Sequence, residues 1–308
     1  MAIQWFPGHM NKARKEIASA LPRIDVIIEV LDARLPYSSQ NPVLNELRGD
    51  KPGLRILAKA DLADPALTAI WLEELTTENI HAMALTQTEP GGAKPVLPSL
   101  AARFKPVPNS IKPRVAMVVG IPNVGKSTLI NALVGRAVAK TGNEPAITKR
   151  QQQVAISDHW ALLDTPGVLW PNVENVHSGY RLAAAGSVRD TAMDNTEVCL
   201  VLLDYLLKAY PHLLQERFTP DAIDVDDSTR TLELIGKQAG CLAARGHVDY
   251  DRAARVVMQD FRTGTLGGIT LETPQMQSVE EKEVTVLRAK RSEEKEKKRD
   301  ARRAKRKR

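Results

Sequence analysis

The feature that most restricts the fold is a phosphate-loop pattern in the middle of the chain. Residues 120–127 read Gly-Ile-Pro-Asn-Val-Gly-Lys-Ser, a full match to GxxxxGK[ST]. The apolar run 114–119 before it suits a buried strand, and residues 127–133 after it have helical character. A strand, a glycine turn and a helix start aim several backbone N–H groups at one phosphate. The pattern predicts a nucleoside triphosphate site formed by Asn123, Val124, Gly125, Lys126, Ser127 and Thr128.

The residues after this loop predict a nucleotide-dependent switch. Asp164-Thr-Pro-Gly167 follows the apolar run 160–163, so a carboxylate emerges at the end of a strand, as a Walker-B aspartate does. Asp164 is expected to hold Mg²⁺ with the Ser127 hydroxyl, and the Gly167 N–H is expected to approach the γ-phosphate. Thr148, in a polar stretch, is expected to close over the Mg²⁺ while the γ-phosphate is present. Taken alone, Thr148 would be read as an ordinary loop residue.

A turn upstream of the phosphate loop has the form that guanine recognition requires. Lys59-Ala-Asp61, which we call the base-reading turn, follows an apolar strand candidate, and its carboxylate would accept hydrogen bonds from guanine N1–H and N2–H. Adenine would leave that carboxylate without a donor, a loss of roughly 1.5–3 kcal/mol per charged hydrogen bond. Ala58 takes the usual place of asparagine, so one hydrogen bond to the base or to the phosphate loop is missing. A second base-contacting loop is expected at Ala84 and Leu85.

The order of these motifs is a circular permutation of the ordinary GTPase order, because the base-reading turn precedes the phosphate loop. Together with Trp5-Phe-Pro-Gly-His-Met10, Leu31-Asp-Ala-Arg34 and Asp260-Phe-Arg262, the motifs resemble the bacterial YlqF-type ribosome biogenesis GTPase A family. The resemblance covers roughly residues 1–272. It implies a circularly permuted Ras-like domain followed by a helical RNA-contacting domain, acting late in assembly of the large ribosomal subunit.

The switch motif does not supply the usual catalytic residue. Val168 stands where Ras-type enzymes carry the glutamine that orients the attacking water. The resemblance implies His9 instead, since the Phe6-Pro-Gly-His9 motif is associated with hydrolysis in the family, and a neutral imidazole can position water. Without the resemblance, a single N-terminal histidine is more often a surface or packing residue. Asn123 is expected either to help bind K⁺ near the phosphates or only to form the turn after Pro122.

The expected fold class is α/β: a circularly permuted Ras-like P-loop GTPase domain with a mostly parallel sheet, then a smaller all-helical domain and a basic tail. The domains are expected at residues 1–174, 175–272 and 273–308, the tail being disordered or helical. Alternating strands and helices indicate a sheet covered on both faces. Helices of the second domain are expected near residues 177–186, 194–209, 229–243 and 250–262. Since the sheet is complete before these helices begin, movement after Gly167 is expected to act directly on the second domain.

Local signals place further elements of the first domain. Strands are expected at 24–31 and 54–58. A helix is expected at 64–76, with Asp64 as its N-cap and a proline in its first turn. The Pro-rich stretch 95–113 is interpreted as the irregular approach to the phosphate-loop strand.

Positive charge is concentrated at the C-terminus. Residues 288–308 hold 13 Lys/Arg against 4 Asp/Glu, a net +9 in a chain whose total is +6, so the rest carries about −3. This run predicts an electrostatic arm for rRNA whose affinity falls steeply with salt, while a solvated helix or a localisation signal would have the same composition. In the helix at 250–262, an apolar stripe leaves arginines on the opposite side. The predicted RNA-contacting residues are Arg252, Arg255 and Arg262 in that helix and Arg302, Arg303 and Lys305 in the tail.

The composition predicts a cytoplasmic protein with two hydrophobic cores, as expected for 308 residues. Cys199 and Cys241 are interpreted as reduced core thiols rather than a disulfide or metal site. There is no signal-peptide pattern and no 18-residue apolar run, so no membrane partner is expected. The expected partners are GTP or GDP with Mg²⁺, and the large ribosomal subunit with its rRNA; K⁺ is expected only if Asn123 helps to bind it rather than merely forming the turn. Off the ribosome, the chain is expected to be a monomer.

Two other function classes stay open on the sequence alone. A small-molecule kinase or a nucleic-acid-modifying enzyme would carry the same phosphate loop, but the DxxG motif and the base-reading turn disfavour it, and a preference for ATP would reveal it. An interaction switch whose basic tail touches a membrane would bind anionic vesicles and not ribosomal subunits.

Overall fold

The computed structural model describes residues 15, 17–86, 93–104, 112–135, 152–164, 175–188, 193–219 and 223–306. The strands are β1 (Val26–Asp32), β2 (Gly53–Ala58), β3 (Ile80–Leu85), β4 (Arg114–Gly120), β5 (Gln152–Ala155) and β6 (Trp160–Asp164). The α-helices of the first half are α1 (Pro42–Arg48), α2 (Pro65–Leu75), α3 (Val96–Arg103) and α4 (Lys126–Val134). Those of the second half are α5 (Val176–Ala184), α6 (Asn195–Ala209), α7 (Pro211–Arg217), α8 (Ser228–Gln238), α9 (Tyr250–Thr263) and α10 (Pro274–Arg306).

The six strands form one sheet in the order β3-β2-β1-β4-β6-β5. All neighbours are parallel except β5, which runs antiparallel to β6. Every residue of β1 and β2 is buried, as expected for central strands of a parallel sheet that is covered on both faces. Since β1 pairs directly with β4, the carboxyl ends of β1, β2 and β4 meet at one edge of the sheet, where such folds bind ligands. The predicted mostly parallel sheet is confirmed.

Local signals in the sequence found most of the elements of the first domain. Both predicted strands are present within two residues of their expected bounds. The Asp64 side chain caps α2 as predicted, since its Oδ1 accepts hydrogen bonds from the N–H groups of Ala66 at 2.8 Å and Leu67 at 3.2 Å. The Pro-rich stretch, expected to be irregular, contains α3, because Val96 and Leu100 are fully buried against the sheet.

The second half of the chain is helical, as predicted, although α8 ends at Gln238, five residues before its expected end. Helix α9 packs against α6 and α8, and it buries its predicted apolar stripe of Ala254, Val257, Met258 and Phe261. Asp249 caps its start by accepting from the N–H of Arg252 at 3.1 Å. Gly264 ends it in the left-handed conformation at φ 78°, which glycine adopts without strain. The separate helix α7 is an addition to the predicted set.

Residues 264–272, which join α9 to α10 and which we call the strap, return to the first domain. The N–H of Ile269 donates to Leu62 O at 3.1 Å, and the N–H of Leu271 donates to Arg34 O at 2.7 Å. At the end of the strap, Glu272 O accepts from Trp71 Nε1 at 3.0 Å. The strap is therefore packed as part of the sheet domain, although it follows the last helix of the helical region. The predicted domain boundary at residue 272 stays a prediction.

The basic tail is one continuous helix as far as Arg306. Its first turns are anchored by Glu280, which is 6% exposed and accepts from Arg181 Nη2 at 2.6 Å and from Asn175 Nδ2. Beyond Glu280, the described side chains up to Arg299 are exposed, except for the partly buried Val284. At 1.5 Å per residue the 33-residue helix is about 50 Å long, so most of it extends away from the body.

Both cysteines are buried free thiols, which confirms the prediction from their apolar surroundings. Burial raises the pKa of the Cys199 thiol well above its usual range. Within the described part of the chain, no helix combines the length and apolar character needed to cross a bilayer.

Candidate nucleotide-binding site

The phosphate loop is shaped by glycines at the edge of the sheet. Gly120, the last residue of β4, has φ 154°, and a Cβ there would lie 2.4 Å from Val30 O on β1. Gly125 precedes α4 with φ 107°. Only glycine fits at both positions, because the loop must turn sharply while it passes against the neighbouring strand. The predicted strand, turn and helix start are therefore present.

The start of α4 is suited to binding an anion. Among the described residues, no side chain caps this helix, and a helix N-terminus that follows a glycine turn in this way is a common binding site for phosphate. Lys126 is the first helical residue and is 7% exposed, and its Nζ donates to Ile121 O at 2.6 Å within the loop. Ser127 and Thr128 follow on the first turn. Amides, a helix N-terminus and an ammonium group thus converge on the space that a phosphate would fill.

The base-reading turn lies against the phosphate loop, although 64 residues separate the contacting positions. Lys59 Nζ donates to Asn123 O at 2.9 Å and to Asp32 Oδ2 at 2.9 Å. The Lys59 backbone is left-handed at φ 57°, an uncommon conformation for a residue with a side chain. Burial lowers the pKa of Lys59, and the neighbouring Asp32 carboxylate partly offsets this. The structure therefore brings together two motifs that the sequence places far apart.

Asp61 and the second predicted base loop lie at the edge of the sheet that holds the phosphate loop. Asp61 is exposed in a single 3-10 turn, Ala60–Leu62, next to Lys59. Ala84 and Leu85 end β3, in register with Leu57 and Ala58 at the end of β2. The carboxyl ends of these two strands therefore present both predicted base-contacting segments at the same edge as the phosphate loop.

Asp32 and Arg34 form a buried ion pair behind the base-reading turn. Arg34 donates to both carboxylate oxygens, from Nε at 2.9 Å and from Nη2 at 2.8 Å. Burial alone would raise the pKa of Asp32, but the Arg34 and Lys59 charges outweigh it and hold that pKa well below its usual range. Arg34 also donates to Phe261 O at 3.4 Å and places its guanidinium 5.0 Å from the centre of the Phe261 ring. The pair thus joins the site to the end of α9.

The phosphate loop also contacts the helical region directly. Asn123 Nδ2 donates to Gly186 O at 2.8 Å, just after α5. Arg262 braces the same helix end, with Nε donating to Ala184 O at 2.8 Å and Nη2 to Ala183 O at 3.0 Å. The expectation that Arg262 lies on the exposed face of its helix is therefore wrong: the side chain is half-buried and caps the carbonyl end of α5. The K⁺ role of Asn123 stays a prediction.

Several predicted residues lie elsewhere or outside the described residues. His9, Thr148 and Gly167 fall outside them. Asp164 ends β6 in register with Val118 of β4, at the edge that holds the phosphate loop, but its side chain is not among those described. The tail residues Arg302, Arg303 and Lys305 are helical in their backbone, and their side chains are likewise not described.

Two of the predicted RNA-contacting arginines are exposed on α9. Arg252 is exposed. Arg255 is 61% exposed, and its Nε lies 2.9 Å from Asp251 Oδ2 in an i,i+4 pair. A solvated pair of this kind contributes little to stability, so Arg255 can exchange Asp251 for another anion at small cost.

Sequence reasoning missed the buried Asp32–Arg34 pair and the strap as parts of the site. A signal for the pair exists, because a charged Asp-Ala-Arg sequence directly follows a run that is apolar except for Glu29, where an unpaired charge would be costly. The strap carries no such local signal, since its contacts join residues that are about two hundred positions apart.

The fold and the site together define a circularly permuted Ras-like P-loop GTPase. Residues 115–236 match the family described as 50S ribosome-binding GTPase. The chain is 40% identical over 285 residues to ribosome biogenesis GTPase A of Priestia megaterium, covering 89% of this chain and 98% of the relative. It is 34% identical to mitochondrial ribosome-associated GTPase 1 of Xenopus tropicalis, over 87% of this chain and 94% of the relative. The chain belongs to the ribosome biogenesis GTPase A family and is a GTPase.

A solved structure agrees with the fold. GNP-bound YlqF from T. maritima superposes with a TM-score of 0.63 at 24% sequence identity, covering 86% of this chain and 99% of that one. At this identity the likeness supports the architecture alone.

Proposed function

We propose that this GTPase is an assembly factor of the large ribosomal subunit, that it contacts rRNA, and that its affinity for the subunit depends on the bound nucleotide. The names of its relatives supply the ribosomal context. The observation that carries the proposal is the double contact of Asn123, whose carbonyl oxygen accepts from Lys59 and whose amide donates to Gly186 O. One residue of the phosphate loop thereby links the base-reading turn to the helical region, so a change at the phosphates would reach both.

Within the site, each group has a proposed role. The α4 amides and Lys126 bind the phosphates, while Asp61 accepts from guanine N1–H and N2–H. Ala84 and Leu85 contact the base from the neighbouring strand. The Gly167 N–H approaches the γ-phosphate, and K⁺ near Asn123 would add positive charge there.

GTPases of this family use Mg²⁺, which neutralises phosphate charge during hydrolysis. Ser127, Thr148 and Asp164 are the proposed protein ligands. No group of three or more His, Cys, Asp or Glu in the described ranges could hold a metal on its own. The proposed ligands Ser127, Thr148 and Asp164 fit Mg²⁺, which keeps several waters and binds through few protein oxygens plus the nucleotide phosphates.

The RNA-contacting surface is proposed to consist of Arg252, Arg255 and the basic part of α10. The tail carries a net +9 on a body of about −3, so most of the attraction to a polyanion comes from this arm. Because α10 is helical and mostly exposed, its charges are held in a fixed rod rather than spread through a flexible chain. Such contacts read phosphates and shape rather than bases.

Sedimentation with purified ribosomal subunits tests this function. Full-length protein with a non-hydrolysable GTP analogue should co-sediment with large subunits, and protein with GDP should do so more weakly. Co-sedimentation should weaken with salt, and changing Arg302, Arg303 and Lys305 to glutamine should reduce the slope of log K against log salt by about one per residue. Equal sedimentation with both nucleotides, or binding to anionic vesicles and not to subunits, would reject the proposal.

His9 is proposed to orient the attacking water. His9→Ala should leave the GTP dissociation constant nearly unchanged and lower kcat by about 10²-fold or more, the usual range for a general base. His212→Ala, at a position on α7, serves as the matched control. Normal hydrolysis by His9→Ala would remove the assignment.

A further inference from the structure

The three residues that follow Asp61 are held by the strap. Leu62 O accepts from the N–H of Ile269 at 3.1 Å. The N–H of Asp64 donates to Thr270 Oγ1 at 3.1 Å. Between them, a Cβ on Gly268 would lie 2.7 Å from Ala63 O, so the two backbones touch at this point. The strap therefore runs along residues 62–64 at contact distance.

A tyrosine of the helical region completes this contact. Tyr210 OH donates to Asp64 Oδ2 at 3.1 Å and accepts from the N–H of Thr270 at 3.3 Å. Thr270 is fully buried and Tyr210 is 8% exposed, so the bond between them is shielded from water, and the bond to Asp64 is partly shielded. Breaking one of these hydrogen bonds would leave a buried polar group without a partner, which costs free energy. The bonds therefore fix the position of the strap against residues 62–64.

The base-reading turn has two reasons to need such support. Lys59 holds a left-handed backbone at φ 57°, which side-chain sterics disfavour. Ala58 also lacks the side-chain amide that the usual asparagine would supply at the start of the turn. Lys59 Nζ ties the turn to the phosphate loop on one side, and the strap contacts supply the other side. When a binding-competent conformation is only partly populated, the apparent affinity falls by that fraction.

We propose that Thr270, Gly268 and Tyr210 are positioning residues that hold the base-reading turn in its guanine-binding conformation. The proposal rests on the assignment of Asp61 as the guanine reader. It makes the affinity for guanine nucleotides depend on the docking of a segment encoded about two hundred residues later than the turn.

The test compares nucleotides that do and do not use the turn, in full-length protein. Thr270→Val keeps the shape of the side chain and removes its hydroxyl. The GDP dissociation constant should rise about 2- to 12-fold, the equivalent of one hydrogen bond. Affinity for inorganic pyrophosphate, which the phosphate loop binds without a base, should not change. At saturating GTP, kcat should also stay unchanged while KM rises, because the chemistry at the phosphates is untouched.

Matched variants separate positioning from general damage. Thr270→Ser keeps the hydroxyl and should retain wild-type GDP affinity. Thr273→Val removes a hydroxyl three residues further on, which accepts from the N–H of Met276 at the start of α10, and should leave GDP affinity unchanged. If Thr270→Val does not fold, Tyr210→Phe removes the hydroxyl that contacts Asp64 and should give the same split between GDP and pyrophosphate.

Two results would overturn the inference. One is a folded Thr270→Val or Tyr210→Phe protein whose GDP affinity equals that of the wild type. The other is an equal loss of GDP and pyrophosphate affinity, which would place the effect at the phosphate loop. If Asp61→Asn lowers guanine preference while Thr270→Val does not, only the positioning inference fails, and the proposed site stands.

Discussion

The phosphate loop and the base-reading turn are built in opposite ways. The loop is formed by consecutive residues from Gly120 to Val134: a strand end, two glycines and a helix start. The turn is positioned by its contact with Asn123 and by the strap, which contacts residues 62–64 next to the turn and lies about two hundred positions away in the sequence. In a permuted chain the phosphate-binding half of the site is therefore local, while the base-binding half depends on completed tertiary structure.

The largest effect on stability should come from removing the contacts that Arg34 makes behind the base-reading turn. Arg34→Met removes a buried guanidinium that neutralises Asp32 and contacts the end of α9. Leaving that carboxylate with less compensation should cost about 3–5 kcal/mol of unfolding free energy, measured by urea denaturation. Arg255→Met, at a 61% exposed ion pair, is the matched control and should cost less than about 1 kcal/mol. Equal losses for the two variants would show that the buried pair behind the base-reading turn matters no more to stability than a solvated one.

The phosphate loop should show the reverse: a substitution there should weaken nucleotide binding strongly and change the unfolding free energy little. Lys126→Ala removes the ammonium group from the phosphate site and should weaken GDP binding by at least about 100-fold, since it leaves phosphate charge uncompensated. Its unfolding free energy should fall by no more than about 1.5 kcal/mol, the upper value for one hydrogen bond such as that from Lys126 Nζ to Ile121 O. Lys94→Ala, an exposed lysine outside the site, should leave binding unchanged in the same fluorescent-GDP titration. A large loss of stability in Lys126→Ala would mean that the loop is not self-contained.

A smaller effect should appear in acid. The pKa of Asp32 is held below its usual value of 3.8 in the folded protein, so its stabilising contribution is complete above that value. The contribution is lost progressively as the pH falls below it, since the unfolded chain then binds a proton that the folded chain does not. Between pH 5 and pH 3 the urea midpoint should fall more steeply for the wild type than for Asp32→Asn. Identical slopes would show that Asp32 is not held ionised.

Much of this architecture could be predicted because its signals are local. The GxxxxGK[ST] spacing and its apolar flank gave β4, the loop and α4 nearly to the residue. Asp64 before Pro65 marked the start of α2, and the stripe from Ala254 to Phe261 marked the buried face of α9. In each case the residues that determine the structure lie within one or two turns of each other.

What could not be predicted depends on contacts between distant residues. In the sequence, Arg262 looks like the other two arginines of its helix. In the structure, its side chain donates to the carbonyl groups at the end of α5. Glu272 looks like an ordinary surface glutamate, but it is buried and accepts from Ser38 N and from Arg181 Nη1. Burial raises the pKa of Glu272, and the Arg181 charge partly offsets this. No local pattern distinguishes such residues from exposed ones.

The central claim is that Asp61, encoded before the phosphate loop, reads the base of the nucleotide which that loop binds. The direct measurement is the affinity of Asp61→Asn for guanosine and xanthosine triphosphates, since xanthine presents an oxygen where guanine has its amino group and pairs with an amide. The affinity for guanosine triphosphate should fall about 10- to 150-fold, the equivalent of 1.5–3 kcal/mol for a charged hydrogen bond. The protein should then prefer xanthosine triphosphate. An Asp61→Asn protein that binds the phosphates normally and still prefers guanosine would contradict the account.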